Sequence, residues 1–286
     1  MDKRAALIGG SALLLLAAAG TAGWLGRTIY TPGDAVTASI AATLPIPPLP
    51  PRLPESERYD RCLAQVTDDP TRAAAEAEAW AQESGAVAAR HCLALADLAL
   101  GHPDQAATLL ETLADIDAIA APGGAIAAPV RATMFDQASQ AWLLAGDAKA
   151  AYQAASRALA LAPDNPDLWV DRAGASMARQ RFQAAIDDFT QAYARDTRRN
   201  DILVQRAGAA RMLGHIDVAL DDIERVLTAD PDNAEALLER GILRQRRNDI
   251  AGARGDWNRV VAVAADSQTA DLALQDLALL DAGPVR

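Results

Sequence analysis

The chain has 286 residues and a formal net charge of −11, with 51% hydrophobic but only 4% aromatic residues. This length allows one or two domains. The acidic balance argues against nucleic-acid binding, because phosphates require a basic surface, and no basic stripe with interleaved aromatic residues occurs.

An apolar segment follows the basic residues Lys3 and Arg4 and runs uncharged from residue 5 to residue 26. As a helix it would be about 33 Å long at 1.5 Å per residue, enough to cross a bilayer. We predict a retained transmembrane anchor, and the alternative is a signal peptide cleaved near residues 18–20. In both cases Lys3 and Arg4 stay in the cytoplasm and the rest of the chain crosses the membrane.

Residues 27–54 are predicted to form a linker. Six prolines between residues 45 and 54 favour extended, polyproline-like backbone and prevent both helix and sheet. Such a segment is typical of a semi-rigid spacer. A proline-rich docking site for a partner is the alternative.

Residues 55–120 are predicted to form an amino-terminal helical lobe. A weak helical pair, 57–66 and 71–83, is interrupted around Pro70, and residues 87–120 contain a second pair. Residues 121–131 are rich in proline and glycine and are predicted to be a loop.

Four consecutive units of 34 residues follow without an insertion: 132–165, 166–199, 200–233 and 234–267. The fifteenth place holds Gly146 and Gly214, and the thirty-second place holds Pro163 and Pro231. Small residues occupy the twentieth and twenty-seventh places. They are Ala151, Ala185, Ala219 and Ala253 at the former, and Ala158, Ala192, Val226 and Val260 at the latter.

This 34-residue pattern resembles the tetratricopeptide repeat family. Residues 87–120 fit the same frame, and residues 55–86 are interpreted as a degenerate first repeat. The resemblance implies an all-α, right-handed solenoid in which each repeat is an antiparallel helix pair. Residues 268–286 are predicted to supply a capping helix for the open end of the solenoid. A detachable partner-binding helix is the alternative.

Three units carry an arginine at the seventh place and an aspartate at the twenty-third, and the other units carry neither. The pairs are Arg172 with Asp188, Arg206 with Asp222, and Arg240 with Asp256. Antiparallel helices bring these places to the same height, so we predict ion pairs that fix register. The alternative is a row of arginines that receives acidic groups of a ligand.

The resemblance also implies that the first helix of each repeat lines a concave groove. Its candidate residues here are Asp136, Gln140, Val170, Gly174, Met177, Val204, Gly208, Arg211, Leu238, Ile242 and Gln245. Family members bind a terminal carboxylate with Lys, Arg and Asn at such places, and this chain has only Arg211, with Arg246 nearby, so an apolar or basic segment is favoured as ligand. We interpret Gly174 and Gly208 as packing residues, with close approach of a ligand as the alternative.

Cys62 and Cys92 are the two cysteines of the chain. In an oxidising compartment an isolated pair usually forms a disulfide, which we predict here. Free thiols, or a metal or redox role, are the alternatives.

Taken together, these features predict a non-enzymatic interaction scaffold. No nucleophile and base are suitably spaced, no phosphate-binding loop occurs, and we expect no cofactor, metal ion or small-molecule substrate. The scaffold would be held in a bacterial inner membrane by one span, with its repeats in the periplasm, or be periplasmic after signal cleavage. The alternative function is a permanent structural subunit of a membrane complex, bound through the anchor and the convex face.

Overall fold

The computed structural model describes residues 57–116 and 126–282, and these form thirteen α-helices without any strand. The amino-terminal helices are α1 (Glu57–Asp68), α2 (Pro70–Ser84), α3 (Val87–Ala99) and α4 (Pro103–Ala114). The regular region contains α5 (Ala128–Leu144), α6 (Ala148–Leu161), α7 (Pro166–Ala178), α8 (Phe182–Arg195), α9 (Asn200–Met212), α10 (Ile216–Ala229), α11 (Ala234–Arg246) and α12 (Ile250–Val263). The last helix is α13 (Gln268–Ala282).

The turn inside each repeat places the fifteenth residue in the left-handed region of backbone conformation. The residues there are Gly101, Gly146, Gln180, Gly214 and Asn248, with φ values of 81°, 80°, 57°, 78° and 64°. Glycine adopts this conformation without a steric penalty, and asparagine tolerates it better than most residues. Gln180 has neither advantage.

Side-chain caps define the starts of several helices. Asp147, Asn165, Asn233 and Asp249 accept hydrogen bonds from backbone N–H groups of the first turns of α6, α7, α11 and α12. These bonds satisfy donors that the helix itself leaves unpaired.

The core of each repeat closes around the small residues of the sequence pattern. The eight residues at the twentieth and twenty-seventh places of the four units are all fully buried. Small side chains at these places let the two helices of a repeat approach closely, as the pattern predicts. Larger residues, such as Phe135, Phe189 and Trp257, are buried beside them.

The loop predicted for residues 121–131 is shorter at its carboxyl end than expected. Residues 117–125 lie outside the described part, but α5 already begins at Ala128. Pro129 lies in the first turn of α5. Proline is tolerated there because a first-turn N–H has no partner within the helix, so Pro129 starts this helix instead of preventing it.

The predicted membrane anchor, residues 5–26, and the linker, residues 27–54, lie outside the described residues. Within 57–116 and 126–282, none of the helices combines the length and apolar character needed to span a bilayer.

Candidate functional site

The helices of the regular region form two layers that differ in how closely their members pack. Among the first helices of the repeats, α5 packs on α7, α9 on α11, and α11 on α13. The second helices α6, α8, α10 and α12 do not pack closely on one another. A curved stack brings the members of its inner layer together, so the first helices form the inner side. We call the open face of α5, α7, α9 and α11 the groove.

The middle of the groove has a small, apolar floor. Val170, Gly174 and Met177 of α7 and Val204 and Gly208 of α9 are all partly exposed. These two helices make less contact with each other than the other consecutive first helices of the regular region. The floor is therefore most open between α7 and α9.

Our interpretation of Gly174 and Gly208 as packing residues is wrong. A Cβ atom placed on either glycine would have no heavy atom within 4 Å outside its own helical turn. Gly241 shows the opposite case, because a Cβ atom there would collide with the indole ring of Trp257. Each mid-helix glycine lowers the stability of its helix by about 1 kcal/mol relative to alanine. At Gly174 and Gly208 no neighbouring atom requires the absence of a side chain.

The carboxyl-terminal end of the groove differs from the expectation, because Arg211 is not free to contact a ligand. Its side chain is only 4% exposed, and its Nε donates to Oε1 of Glu239 at 2.5 Å. Leu238 and Ile242 are also buried. These three residues, expected in the groove, are therefore largely closed off, whereas Gln245 stays partly exposed.

The capping helix α13 contributes a carboxyl group to this charged cluster. Burial raises the pKa of Asp276 to about 6, with nearby Glu239 acting in the same direction and Arg211 in the opposite one. Burial and the positive charge of Arg211 also lower the pKa of Arg246. The cluster links α9, α11 and α13 and closes the solenoid at this end.

The amino-terminal end of the groove contains two neighbouring carboxyl groups, Asp136 on α5 and Asp171 on α7. Burial, and then the charge of Asp171, raise the pKa of Asp136 well above its usual range, and burial also raises the pKa of Asp171. Gln140 donates from Nε2 to Oδ2 of Asp136 at 3.5 Å. The buried Oδ1 of Asp136 has no hydrogen-bond partner.

The structure brings together each arginine–aspartate pair of the repeats. Each arginine donates from both Nε and Nη2 to the two carboxylate oxygens, over 2.6–3.0 Å. The aspartates are almost fully buried, with side-chain exposures of 5–8%. Each pair joins the first and second helices of one repeat, so its arginine is already occupied and could not receive an acidic ligand without breaking the pair.

The amino-terminal lobe is held together by a disulfide and a buried hydrogen-bond chain. Cys62 of α1 and Cys92 of α3 are bonded, with 6.3 Å between their Cα atoms. Beside them, Nε2 of His91 donates to Oε1 of Gln137 at 2.8 Å, and the Tyr59 hydroxyl donates to Nδ1 over 2.8 Å. Burial lowers the pKa of His91. This chain joins α1, α3 and α5.

Sequence reasoning missed two acidic residues of the groove, Asp171 and Glu239. Both occupy the sixth place of their repeats, where Gln137 and Gln205 stand in the other two. The sixth place of the first helix is polar in all four repeats, and this recurrence is the signal that could have identified Asp171 and Glu239. Among the described side chains, no group of three or more His, Cys, Asp or Glu residues is arranged to hold a metal ion.

Comparison with solved structures identifies the fold. No protein-family model and no curated protein matches the chain by sequence. The structure is similar to YrrB, described as a TPR protein with an unusual peptide-binding site, at 15% identity and a TM-score of 0.50, over 78% of this chain and 98% of that one. It is also similar to a putative kinesin light chain of Podosopora anserina with TPR-like repeats, at 19% identity and a TM-score of 0.52, over 63% and 95% of the two chains.

A third similar structure is MamA, at 15% identity and a TM-score of 0.51, over 60% of this chain and 94% of that one. The chain therefore has the fold of tetratricopeptide-repeat proteins, as the 34-residue pattern predicts.

Proposed function

We propose that the chain is a scaffold that binds an extended or helical segment of another protein in the groove. The observation that carries this proposal is the open floor at Gly174 and Gly208. Two glycines in neighbouring helices weaken both helices, and no packing contact explains them. Exposed backbone on the floor of a groove lets a ligand chain approach more closely than side chains would allow. YrrB, with its peptide-binding site, offers a precedent for such use of the fold.

Filling the floor tests the proposal. Gly208→Leu places a side chain in open space and should block the segment while leaving folding intact. Gly255→Leu on α12 is the matched control, because a Cβ atom there also meets nothing within 4 Å and the residue is exposed.

The readout is photo-crosslinking of tagged protein in gently solubilised membranes, followed by mass spectrometry. A photoreactive residue at Val204 in the groove should capture a stoichiometric partner, and one at Val218, 54% exposed on α10, should not. Gly208→Leu should remove the Val204 crosslink and Gly255→Leu should preserve it. Capture only through Val218 would contradict the proposal.

We further propose that one membrane span holds this scaffold at the periplasmic face of a bacterial inner membrane. The uncharged run 5–26 after Lys3 and Arg4 supports this topology. A disulfide between Cys62 and Cys92 fits an oxidising compartment. Two measurements test the proposal: thiol labelling of the denatured, unreduced protein, and its recovery with membranes after alkaline extraction. Full labelling of both cysteines would contradict a periplasmic location, and release from the membrane would contradict a retained anchor.

The alternative of a structural subunit bound through the convex face receives less support. A permanent interface buries a more apolar surface than a transient one. The outer face of α10, however, presents Asp217, Asp221 and Glu224 around the single exposed Val218. A cleft of about 450 Å³ between α4 and α6, lined by Glu111, Tyr152, Gln153, Ser156 and Arg157, exposes mainly apolar atoms but is confined to these five residues. Crosslinking through Val218 would favour this alternative.

A further inference from the structure

Two places along the groove carry a half-buried or buried acid at the same point of the repeat, but only one has a cation. Asp171 and Glu239 both stand sixth in their repeats. Glu239 receives the guanidinium of Arg211, at a distance of 2.5 Å. In the described part of the chain, neither Asp171 nor its neighbour Asp136 forms an ion pair with an arginine or lysine. The two sites therefore differ in charge balance.

The repeat frame explains this difference. Arg211 stands twelfth in the repeat before that of Glu239, and the twelfth residue in the repeat before that of Asp171 is Leu143. The chain thus supplies an internal cation at one site and an apolar side chain at the other. A buried carboxylate requires a partner, and the Asp136–Asp171 site lacks the arginine that Glu239 has in the equivalent site.

Other charges close to the site do not fill this role. Arg199 is the nearby cation, but it already binds Asp167 and Asp201, each at 2.7 Å. Gln140 offers Asp136 only a neutral amide at 3.5 Å, and the buried Oδ1 of Asp136 has no partner. With no cation among the described residues at this place, burial and the neighbouring Asp171 raise the pKa of Asp136, so the pair retains a proton that an incoming cationic side chain would displace.

The apolar floor lies beside these two carboxyl groups. Val170 and Gly174 share helix α7 with Asp171, one residue before it and three residues after it, and Gly208 lies on the next first helix. A ligand that fits both features carries one cationic side chain with apolar residues on one side of it.

We infer that the groove recognises a protein segment whose arginine or lysine binds between Asp136 and Asp171 while the adjacent apolar residues lie over Gly174 and Gly208. This inference rests on the proposed function and specifies its partner. A guanidinium supplies the paired N–H donors that match carboxylate oxygens, and the apolar stretch covers Val170 and Val204. Acidic segments are disfavoured by the same two carboxyl groups.

Selection from a random dodecapeptide library displayed on phage tests the inference with the full-length protein. We define groove ligands as peptides that compete with one another for the protein and no longer bind the Gly208→Leu variant. We expect arginine or lysine to be enriched at one position among them. We also expect Asp136→Asn with Asp171→Asn to weaken the binding of the selected peptides about tenfold or more, the effect of losing a charge-assisted pair.

Two further variants separate charge recognition from folding. Leu143→Arg places a guanidinium where Arg211 stands in the equivalent site. It should weaken the binding of cationic peptides as strongly as the double Asn variant does, and it should not lower the Tm of the protein. Asp187→Asn removes an exposed carboxylate of α8 and should leave peptide affinity within about twofold of the wild type.

The outcomes distinguish failure of the inference from failure of the proposed function. Groove peptides without a selected cation, or with affinities unchanged in both Leu143→Arg and the double Asn variant, would overturn the inference and leave groove binding standing. Selection of no peptide that depends on Gly208 would overturn groove binding itself.

Discussion

Arg206 on α9 binds Asp222 on α10 at two points, with Nε 2.7 Å from Oδ2 and Nη2 2.6 Å from Oδ1. Nη1 of the same guanidinium also donates to Oγ1 of Thr190 on the preceding second helix, at 3.2 Å. The side chains of the pair are only 16% and 5% exposed. This arginine therefore fixes the height of three helices relative to one another.

Replacing one member of the Arg206–Asp222 pair should destabilise the protein more than replacing both. Arg206→Leu leaves the carboxylate of Asp222 buried and uncompensated, which should lower the free energy of unfolding by about 3–5 kcal/mol. Arg206→Leu with Asp222→Leu removes the buried charge and should recover much of that loss. Urea unfolding at pH 7 measures both effects.

The exposed pair Arg198–Asp196 supplies the control for this prediction. The Arg198 side chain is 90% exposed, so Arg198→Leu should change stability by about 0.5 kcal/mol or less. A double Arg206/Asp222 variant that loses the sum of the two single effects would show that the residues stabilise the fold independently.

Substitution by alanine should change stability in opposite directions at the groove glycine Gly208 and at Gly241. Gly208→Ala adds a methyl group in open space and improves helix propensity, so stability should rise by about 1 kcal/mol. Gly241→Ala forces a Cβ atom against the Trp257 ring, which is fully buried and cannot move freely, and should destabilise the protein. Thermal unfolding of the two variants compares them directly. Equal destabilisation by both would restore packing as the reason for Gly208.

The 34-residue sequence pattern predicted the repeats and the arginine–aspartate pairs, because both depend on contacts within one helix pair. Arg206 and Asp222 are sixteen residues apart, and charges that appear and disappear together in aligned repeats signal such contacts. Contacts between repeats were harder to predict. The burial of Arg211 depends on Glu239, twenty-eight residues away, and on how closely α9 packs on α11.

The state of the groove depends on the spacing of helices, which the sequence does not specify residue by residue. A glycine in mid-helix indicates either a neighbour that needs room or an open surface, and only the positions of other helices distinguish the two. Gly241 is the first case and Gly208 the second. Asp136 was predicted to lie in the groove, but its neighbour Asp171 was missed for the same reason, since the two residues belong to different repeats.

Gln180 is predicted to be a site where glycine stabilises the fold. It adopts φ 57° at the turn position where three other repeats have glycine. A non-glycine residue in this region costs about 1–2 kcal/mol, so Gln180→Gly should raise the free energy of unfolding by about 1 kcal/mol after the greater entropy of the unfolded glycine is subtracted. Urea unfolding provides the measurement, and Gln183→Gly, within α8, is the control that should destabilise. Destabilisation by Gln180→Gly would mean that its side chain makes a compensating contact.

Below pH 6.5, His91 should make the amino-terminal lobe less stable. Burial lowers the pKa of this imidazole, which accepts from Tyr59 through Nδ1 and donates to Gln137. The unfolded chain, with a histidine pKa of about 6.5, therefore binds the proton more readily than the folded protein does. The contribution of neutral His91 to the free energy of unfolding is fully present above pH 6.5. It falls as the pH drops from there toward the lowered pKa of the folded state.

Comparing His91→Gln with wild type at pH 5, 6, 7 and 8 isolates this contribution. Asp276, whose pKa is raised to about 6, changes stability in the opposite sense, but it is present in both proteins and its effect cancels. We expect the difference in Tm between wild type and His91→Gln to shrink as the pH falls, because only the wild type must exclude a proton. His102→Gln, at an exposed turn position, should show no such trend. A difference in Tm that stays constant from pH 8 to pH 5 would mean that folding does not lower the pKa of His91.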